Sequence, residues 1–85
     1  MGEEKKGIVM YGQAWCGDCR RAKQIFQAEG LAYDWIDLAE HPEAIAYVEK
    51  VNRGHRSVPT IIFPDGDILV EPSSPVLTKK LRALK

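Results

Sequence analysis

Two cysteines, Cys16 and Cys19, are the only thiols in this 85-residue chain, and they stand in the run Trp15-Cys16-Gly17-Asp18-Cys19. Cys-x-x-Cys spacing serves two chemistries: electron exchange through a disulfide, or coordination of a soft metal. A structural zinc site needs four protein ligands. The other soft candidates, His41 and His55, are separated far beyond the spacing of a paired-histidine finger. His41 stands directly before Pro42 and reads as a helix-start residue, and His55 falls in a charged, solvated loop. No metal site is expected. A secreted miniprotein stapled by disulfides would carry four or more cysteines. A buried, inert cysteine pair is the bland alternative, and the position of the pair between a strand and a helix argues against it.

Those elements can be read from the pattern. Ile8-Val9-Met10-Tyr11 is a short apolar run bounded by Gly7 and Gly12, as in strands buried inside parallel sheets. From Asp18 to Glu29 the apolar residues Cys19, Ala22, Ile25 and Phe26 fall three or four apart, which predicts an amphipathic helix closed by a left-handed Gly30. Leu31 to Leu38 is rich in strand formers. Pro42 suits the first turn of a second helix with Ile45, Tyr47, Val48 and Val51 on its apolar face, closed by Asn52 and Gly54. Thr60 to Phe63 and Asp67 to Val70 read as two strands joined by a hairpin turn at Pro64-Asp65-Gly66. Ser74 and Pro75 supply a cap and a first-turn proline for a last helix with Leu77, Leu81 and Leu84 as its stripe. The order is βαβαββα, an α/β fold with a four-stranded mixed sheet flanked by helices.

At the first strand–helix junction, unpaired N–H groups and the positive end of the helix dipole favour a thiolate over a thiol. Cys16 is therefore the expected nucleophile. Cys19, one turn inside the helix, is the more buried thiol that resolves a mixed disulfide, and a three-residue offset puts both sulfurs on one helix face. Gly17 leaves room for a partner's backbone. Asp18 suits the first helical turn, yet its charge opposes the Cys16 thiolate and points to a more reducing couple, with Arg20 and Arg21 as partial offsets.

Composition removes other classes. Twelve basic and twelve acidic residues leave no net charge, which argues against a counterion-releasing nucleic-acid binder or a polybasic membrane protein. No apolar run approaches the roughly 20 residues needed to span a bilayer. The charged start fits neither a signal peptide nor, with Lys6 where Ser or Thr is required, a myristoylation motif. The expectation is a cytoplasmic monomer of one domain, residues 1–85.

The motifs together resemble the thioredoxin superfamily and, within it, the glutaredoxins: Trp15-Cys16-x-x-Cys19 after the first strand, and Val58-Pro59 before the third. The resemblance implies a cis Val58–Pro59 bond, with Pro59 facing the cysteines and the Val58 backbone pairing with substrate. Cys16-Gly17-x-Cys19-Arg20-Arg21, His41-Pro42-Glu43, Val58-Pro59-Thr60 and Phe63-Pro64-Asp65-Gly66 look most like the mycoredoxins. It thus implies a thiol–disulfide oxidoreductase with no cofactor, acting on protein disulfides or thiolated proteins. A low-molecular-weight thiol (mycothiol, bacillithiol or glutathione) serves as co-substrate. Glutathione users commonly carry Gly-Gly-x-Asp after the fourth strand. Here that place reads Glu71-Pro72-Ser73-Ser74, which turns the expectation away from glutathione. Ser73, Ser74 and the amides of the last helix are candidates for holding an anionic group, with ordinary capping by Ser74 as the alternative. Trp15 before the first cysteine also occurs in thioredoxins, so a thioredoxin-reductase-fed role is the alternative reading. An iron–sulfur carrier is disfavoured by the second cysteine, as is a redox-inert binding module.

Overall fold

In the computed structural model, residues 7–85 are described; the charged start at positions 1–6, read above as neither signal nor acylation site, lies outside them. The elements run β1 (Val9–Gly12), α1 (Gly17–Glu29), β2 (Asp34–Asp37), α2 (Glu43–Val51), β3 (Thr60–Ile62), β4 (Ile68–Val70) and α3 (Ser74–Ala83). The four strands form one sheet in the order β2-β1-β3-β4. β1 and β2 are parallel, and the β1–β3 and β3–β4 pairs are antiparallel. This is the four-stranded mixed α/β sheet that the alternation of patterns predicts.

Register decides which side chains share a face. Met10 pairs with Ile61 and Trp35, while Tyr11 pairs with Thr60. Met10 and Ile61 are fully buried under α1 and α3, packed with Ala22, Phe26, Leu77 and Leu81. Burying each of the larger side chains contributes roughly 1.5–3 kcal/mol. The opposite face carries α2, whose Tyr47 lies 5.6 Å from the Tyr11 ring and whose Val48 is fully buried.

Beyond one-residue shifts in β1, in the start of α1 and in Pro42, which caps α2 from just outside it, three boundaries differ from the pattern-based expectation. The second strand is Asp34–Asp37 instead of Leu31–Leu38. Gly30 takes the left-handed conformation at φ 72°, and the Leu31 amide then bonds to the Phe26 carbonyl, so Leu31 belongs to the helix cap. At the other end, Asp37 folds the chain into a turn: its side chain accepts from Ala39 N–H and its carbonyl from Glu40 and His41. The cap of α3 is Ser73, not Ser74, because the Ser73 hydroxyl accepts the Val76 amide at 3.4 Å and Ser74 is already helical. Finally, Phe63 and Asp67 fall outside the two hairpin strands. They close the turn by two bonds, from Phe63 N–H to the Asp67 carbonyl and from Gly66 N–H to the Phe63 carbonyl, with Gly66 at φ 94°.

Candidate active site

The carboxyl end of β1 points the chain at the amino end of α1, and Cys16 stands between them. Its backbone is extended, with φ −79° and ψ 120°, and its sulfur caps the helix by accepting the Cys19 amide at 3.2 Å. A further bond from Cys16 N–H to the Gln13 carbonyl fixes the loop, and the Cys16 carbonyl accepts from Arg20 N–H. A cap that accepts a helix amide is a donor set suited to a negatively charged sulfur. Cys16 is half-buried, whereas Cys19 is 1% exposed. Burial pushes the Cys19 thiol up to about 12, and its hydrogen bond to Cys16 adds to the shift. The two cysteines therefore occupy opposite environments one turn apart: one open to a partner, the other dry and protonated.

β3 enters from the neighbouring position. The Val58–Pro59 bond is cis, Pro59 is buried, and the Val58 carbonyl lies 4.0 Å from the Cys16 sulfur. Thr60, fully buried, ties this loop down: its hydroxyl donates to the Ser57 carbonyl at 2.7 Å and accepts from the Asn52 side-chain amide at 2.9 Å. The Glu71 amide donates to the Pro59 carbonyl at 2.8 Å, so the chain leaving β4 is tied to the same loop. These bonds bring the start of α3 to the same end of the sheet as the cysteines.

The other sequence-selected residues fall into two groups. Trp15 is 66% exposed, and Gly17 has only open space where a side chain would begin, so both present unobstructed surface beside Cys16. Asp18 turns its carboxylate outward to Arg21 at 2.8 Å, and its charge opposes ionisation of Cys19 as a minor cause. Ser73 is occupied by its own helix. Ser74 lies at the mouth of a shallow groove on the outer flank of α3 with Pro75, Thr78, Lys79 and Arg82. Among the described residues, no three His, Cys, Asp or Glu side chains gather as a metal site would require.

Sequence reasoning missed Gly12, Trp35 and Asn52. Gly12 had been read only as a strand boundary, and yet a methyl group there would lie 2.6 Å from the Cys19 sulfur and 2.8 Å from two carbons of the Trp35 ring. The sole signal was a glycine ending an apolar run four residues before a cysteine. Asn52 reaches eight residues forward to Thr60, a separation without a local signature.

Comparisons with known proteins agree with this geometry. The family model described as Glutaredoxin matches residues 8–69. A protein named as a glutaredoxin in Mycobacterium tuberculosis is 39% identical over 74 residues, covering 87% of this chain and 88% of that one. Mycoredoxin 1 of Corynebacterium glutamicum is 34% identical over 77 residues, covering 91% and 95%. Among solved structures, the glutaredoxin of Methanosarcina mazei superimposes with a TM-score of 0.72 at 26% identity, covering 89% of this chain and 79% of that one. The glutaredoxin of Archaeoglobus fulgidus gives 0.71 at 22% identity over 99% and 95%, a likeness of fold.

Proposed function

This chain belongs to the glutaredoxin family of thiol–disulfide oxidoreductases and is similar to its mycoredoxin branch, and from that premise we propose that it reduces protein disulfides and protein–small-thiol mixed disulfides through Cys16 and Cys19. The observation that carries the reading is the helix-capping sulfur of Cys16, held 3.2 Å from the Cys19 amide and open to solvent on the Gly17 side. Cys16 thiolate attacks a substrate disulfide, one substrate sulfur leaves as a thiolate, and the other remains joined to Cys16. With a protein disulfide, Cys19 then displaces the substrate, leaving a Cys16–Cys19 disulfide and a substrate dithiol. With a thiolated protein, Cys16 takes the small thiol and releases the protein. A second small thiol then frees Cys16 without Cys19. No cofactor enters either route.

Trp15, Gly17, Asp18 and the Val58–Pro59 backbone form the proposed substrate surface. Val58 offers its backbone to an extended segment, and exposed Trp15 offers an aromatic face. Ser73 and Ser74 are proposed as the outer edge of the small-thiol site, with Glu71 beside them as an acid unfavourable to a ligand carboxylate. The electron donor proposed is a low-molecular-weight thiol, one of mycothiol, bacillithiol and glutathione, with a thioredoxin reductase as the alternative donor. The working form is a cytoplasmic, single-domain monomer.

The test is adduct trapping. Cys19→Ser protein is incubated separately with oxidised mycothiol, bacillithiol and glutathione, and intact mass is read. One adduct on Cys16, released by the matching free thiol, identifies the donor. If Cys16 alkylates readily but forms no adduct with any of the three, the small-thiol route fails and a thioredoxin reductase becomes the donor to assay.

A further inference from the structure

Behind the cysteine pair, three elements converge on a space that only a glycine leaves open. The parallel register of β1 and β2 pairs Met10 with Trp35, which places Trp35 and Gly12 on the face covered by α1. From α1, Cys19 and Lys23 stand one turn apart and point at the same place. A methyl group at Gly12 would meet the Cys19 sulfur at 2.6 Å and the far edge of the Trp35 ring at 2.8 Å. Sulfur and ring edge are therefore no more than about 5.4 Å apart, close to the range of a favourable sulfur–aromatic contact. The Lys23 ammonium sits 3.6 Å from the centre of the Trp35 ring, a cation–π contact that pins the indole from the solvent side.

We infer that Trp35 is a positioning residue for the resolving step, its indole edge seated on Gly12 and holding the Cys19 sulfur against Cys16. The inference rests on the proposed role of Cys19. In that step the Cys19 thiol gives up its proton, its sulfur bonds to the Cys16 sulfur, and the Cys16–substrate S–S bond breaks. The electron pair leaves on the substrate sulfur, which takes up the proton. Nothing else is oxidised or reduced. A cysteine side chain turns about one torsion, so its attack geometry is set by what fills the alternative staggered positions. Here the bare backbone of Gly12 admits the sulfur and the Trp35 ring closes the remaining space. The thiol is left beside Cys16, whose sulfur accepts the Cys19 amide at 3.2 Å. Misplacing a reacting atom by an ångström slows an intramolecular step by up to about a hundredfold. Cys16 meets this cluster only through Cys19, whose amide donates to its sulfur at 3.2 Å, and its first attack does not involve Trp35.

The experiment separates the two steps. Reduced wild type, Cys19→Ser, Trp35→Ala and Trp35→Phe are each mixed with bis(2-hydroxyethyl) disulfide and quenched in acid at intervals. Intact mass then reports the Cys16 mixed disulfide and the internal disulfide. Trp35→Ala is expected to form the mixed disulfide as fast as wild type and to convert it about tenfold more slowly. Trp35→Phe, which keeps an aromatic edge, recovers most of that rate. Conversion of Trp35→Ala at the wild-type rate, with Cys19→Ser still trapping the adduct, overturns the inference and leaves the resolving role of Cys19 intact. A Cys19→Ser protein that clears its adduct like wild type removes that role, and the inference with it. Should Trp35→Ala fail to fold, Trp15→Phe leaves Trp35 as the sole indole. Its fluorescence must change when the Cys16–Cys19 disulfide forms, and an unchanged spectrum overturns the contact.

Discussion

The two ends of the sheet are held by different chemistry. At the cysteine end, the bonds that tie the loops together are backbone and neutral side-chain hydrogen bonds, Cys16 with the Cys19 amide, Thr60 with Ser57 and Asn52, and Pro59 with Glu71, while the Asp18–Arg21 ion pair stays within α1. At the hairpin end, charges do the joining. Lys80 of α3 bridges Asp65 and Asp67 at 2.6 Å each, and Glu29 at the end of α1 takes Arg82 and Lys85 at 3.2 and 3.0 Å. Lys85 and Arg82 hold the Glu29 carboxyl below its ordinary range, and Asp65 and Asp67 raise Lys80. The contrast has a physical logic. A fixed ion-pair network beside a nucleophilic sulfur would bias its charge and occupy the surface a partner must reach, whereas the far end has no chemistry to protect.

Four substitutions test that contrast, beginning with the largest effect. Cys16→Ser removes the proposed nucleophile and is expected to lower disulfide reductase activity by at least about a thousandfold. Its melting temperature stays close to that of reduced wild type, because the sulfur is half-exposed. A large loss of stability instead would show that the reactive end is structural after all.

Next comes Thr60→Val, which keeps the shape and deletes the hydroxyl. It leaves the Ser57 carbonyl and the Asn52 amide without this partner and is expected to cost about 1–3 kcal/mol in a denaturant titration. Because this loop carries Val58 and Pro59, KM for a protein disulfide should rise as well. Unchanged KM would confine Thr60 to stability.

Gly17→Ala reverses the balance. The position has open space around it, so stability is expected to hold or to improve by up to about 0.5 kcal/mol through the unfolded state. Turnover of a protein disulfide should fall a few-fold while a small disulfide is reduced normally. Equal loss on both substrates would mean that Gly17 shapes Cys16 and not the partner's approach.

The smallest effect lies at the ionic end and shows only against pH. Glu29 is ionised more readily in the folded chain than in the unfolded one. Its contribution is thus fully present above the ordinary value of 4.5 and is lost as the pH falls through the lowered folded value. Glu29→Gln should therefore lower the melting temperature slightly at neutrality, a difference that closes as the pH falls through that range. Parallel curves for the two proteins would show that the Lys85 and Arg82 contacts contribute nothing measurable.

Local pattern made much of this legible. The apolar run at Ile8–Tyr11, the three-to-four spacing from Cys19 to Phe26, Gly30 as a left-handed stop and the Pro-Asp-Gly turn are each governed by residues within a few positions of one another. The errors came where distant or competing bonds decide. Leu31 looks like a strand former but belongs to the helix cap. Ser73 and Ser74 are equivalent as capping residues, and only the path of the chain out of β4, tied by Glu71 to Pro59, selects Ser73. The site followed the same division: Cys16, Cys19 and the Val58-Pro59 pair were recognisable as motifs, while Asn52, Gly12 and Trp35 were silent.

Spacing and side-chain chemistry by themselves determined that two thiols stand a helical turn apart at a strand–helix junction, which favours disulfide exchange over a metal site, and the Val58-Pro59 motif added the family resemblance. That Cys19 is the more buried thiol followed from its place one turn inside the helix, but tertiary structure decided what buries it: packing sets Cys19 against Gly12 and Trp35 and its thiol is pushed up to about 12, while Cys16 is left at the surface against the Val58 carbonyl. Desolvation and packing depend on what arrives from β2 and β3, and no local pattern of residues contains that information.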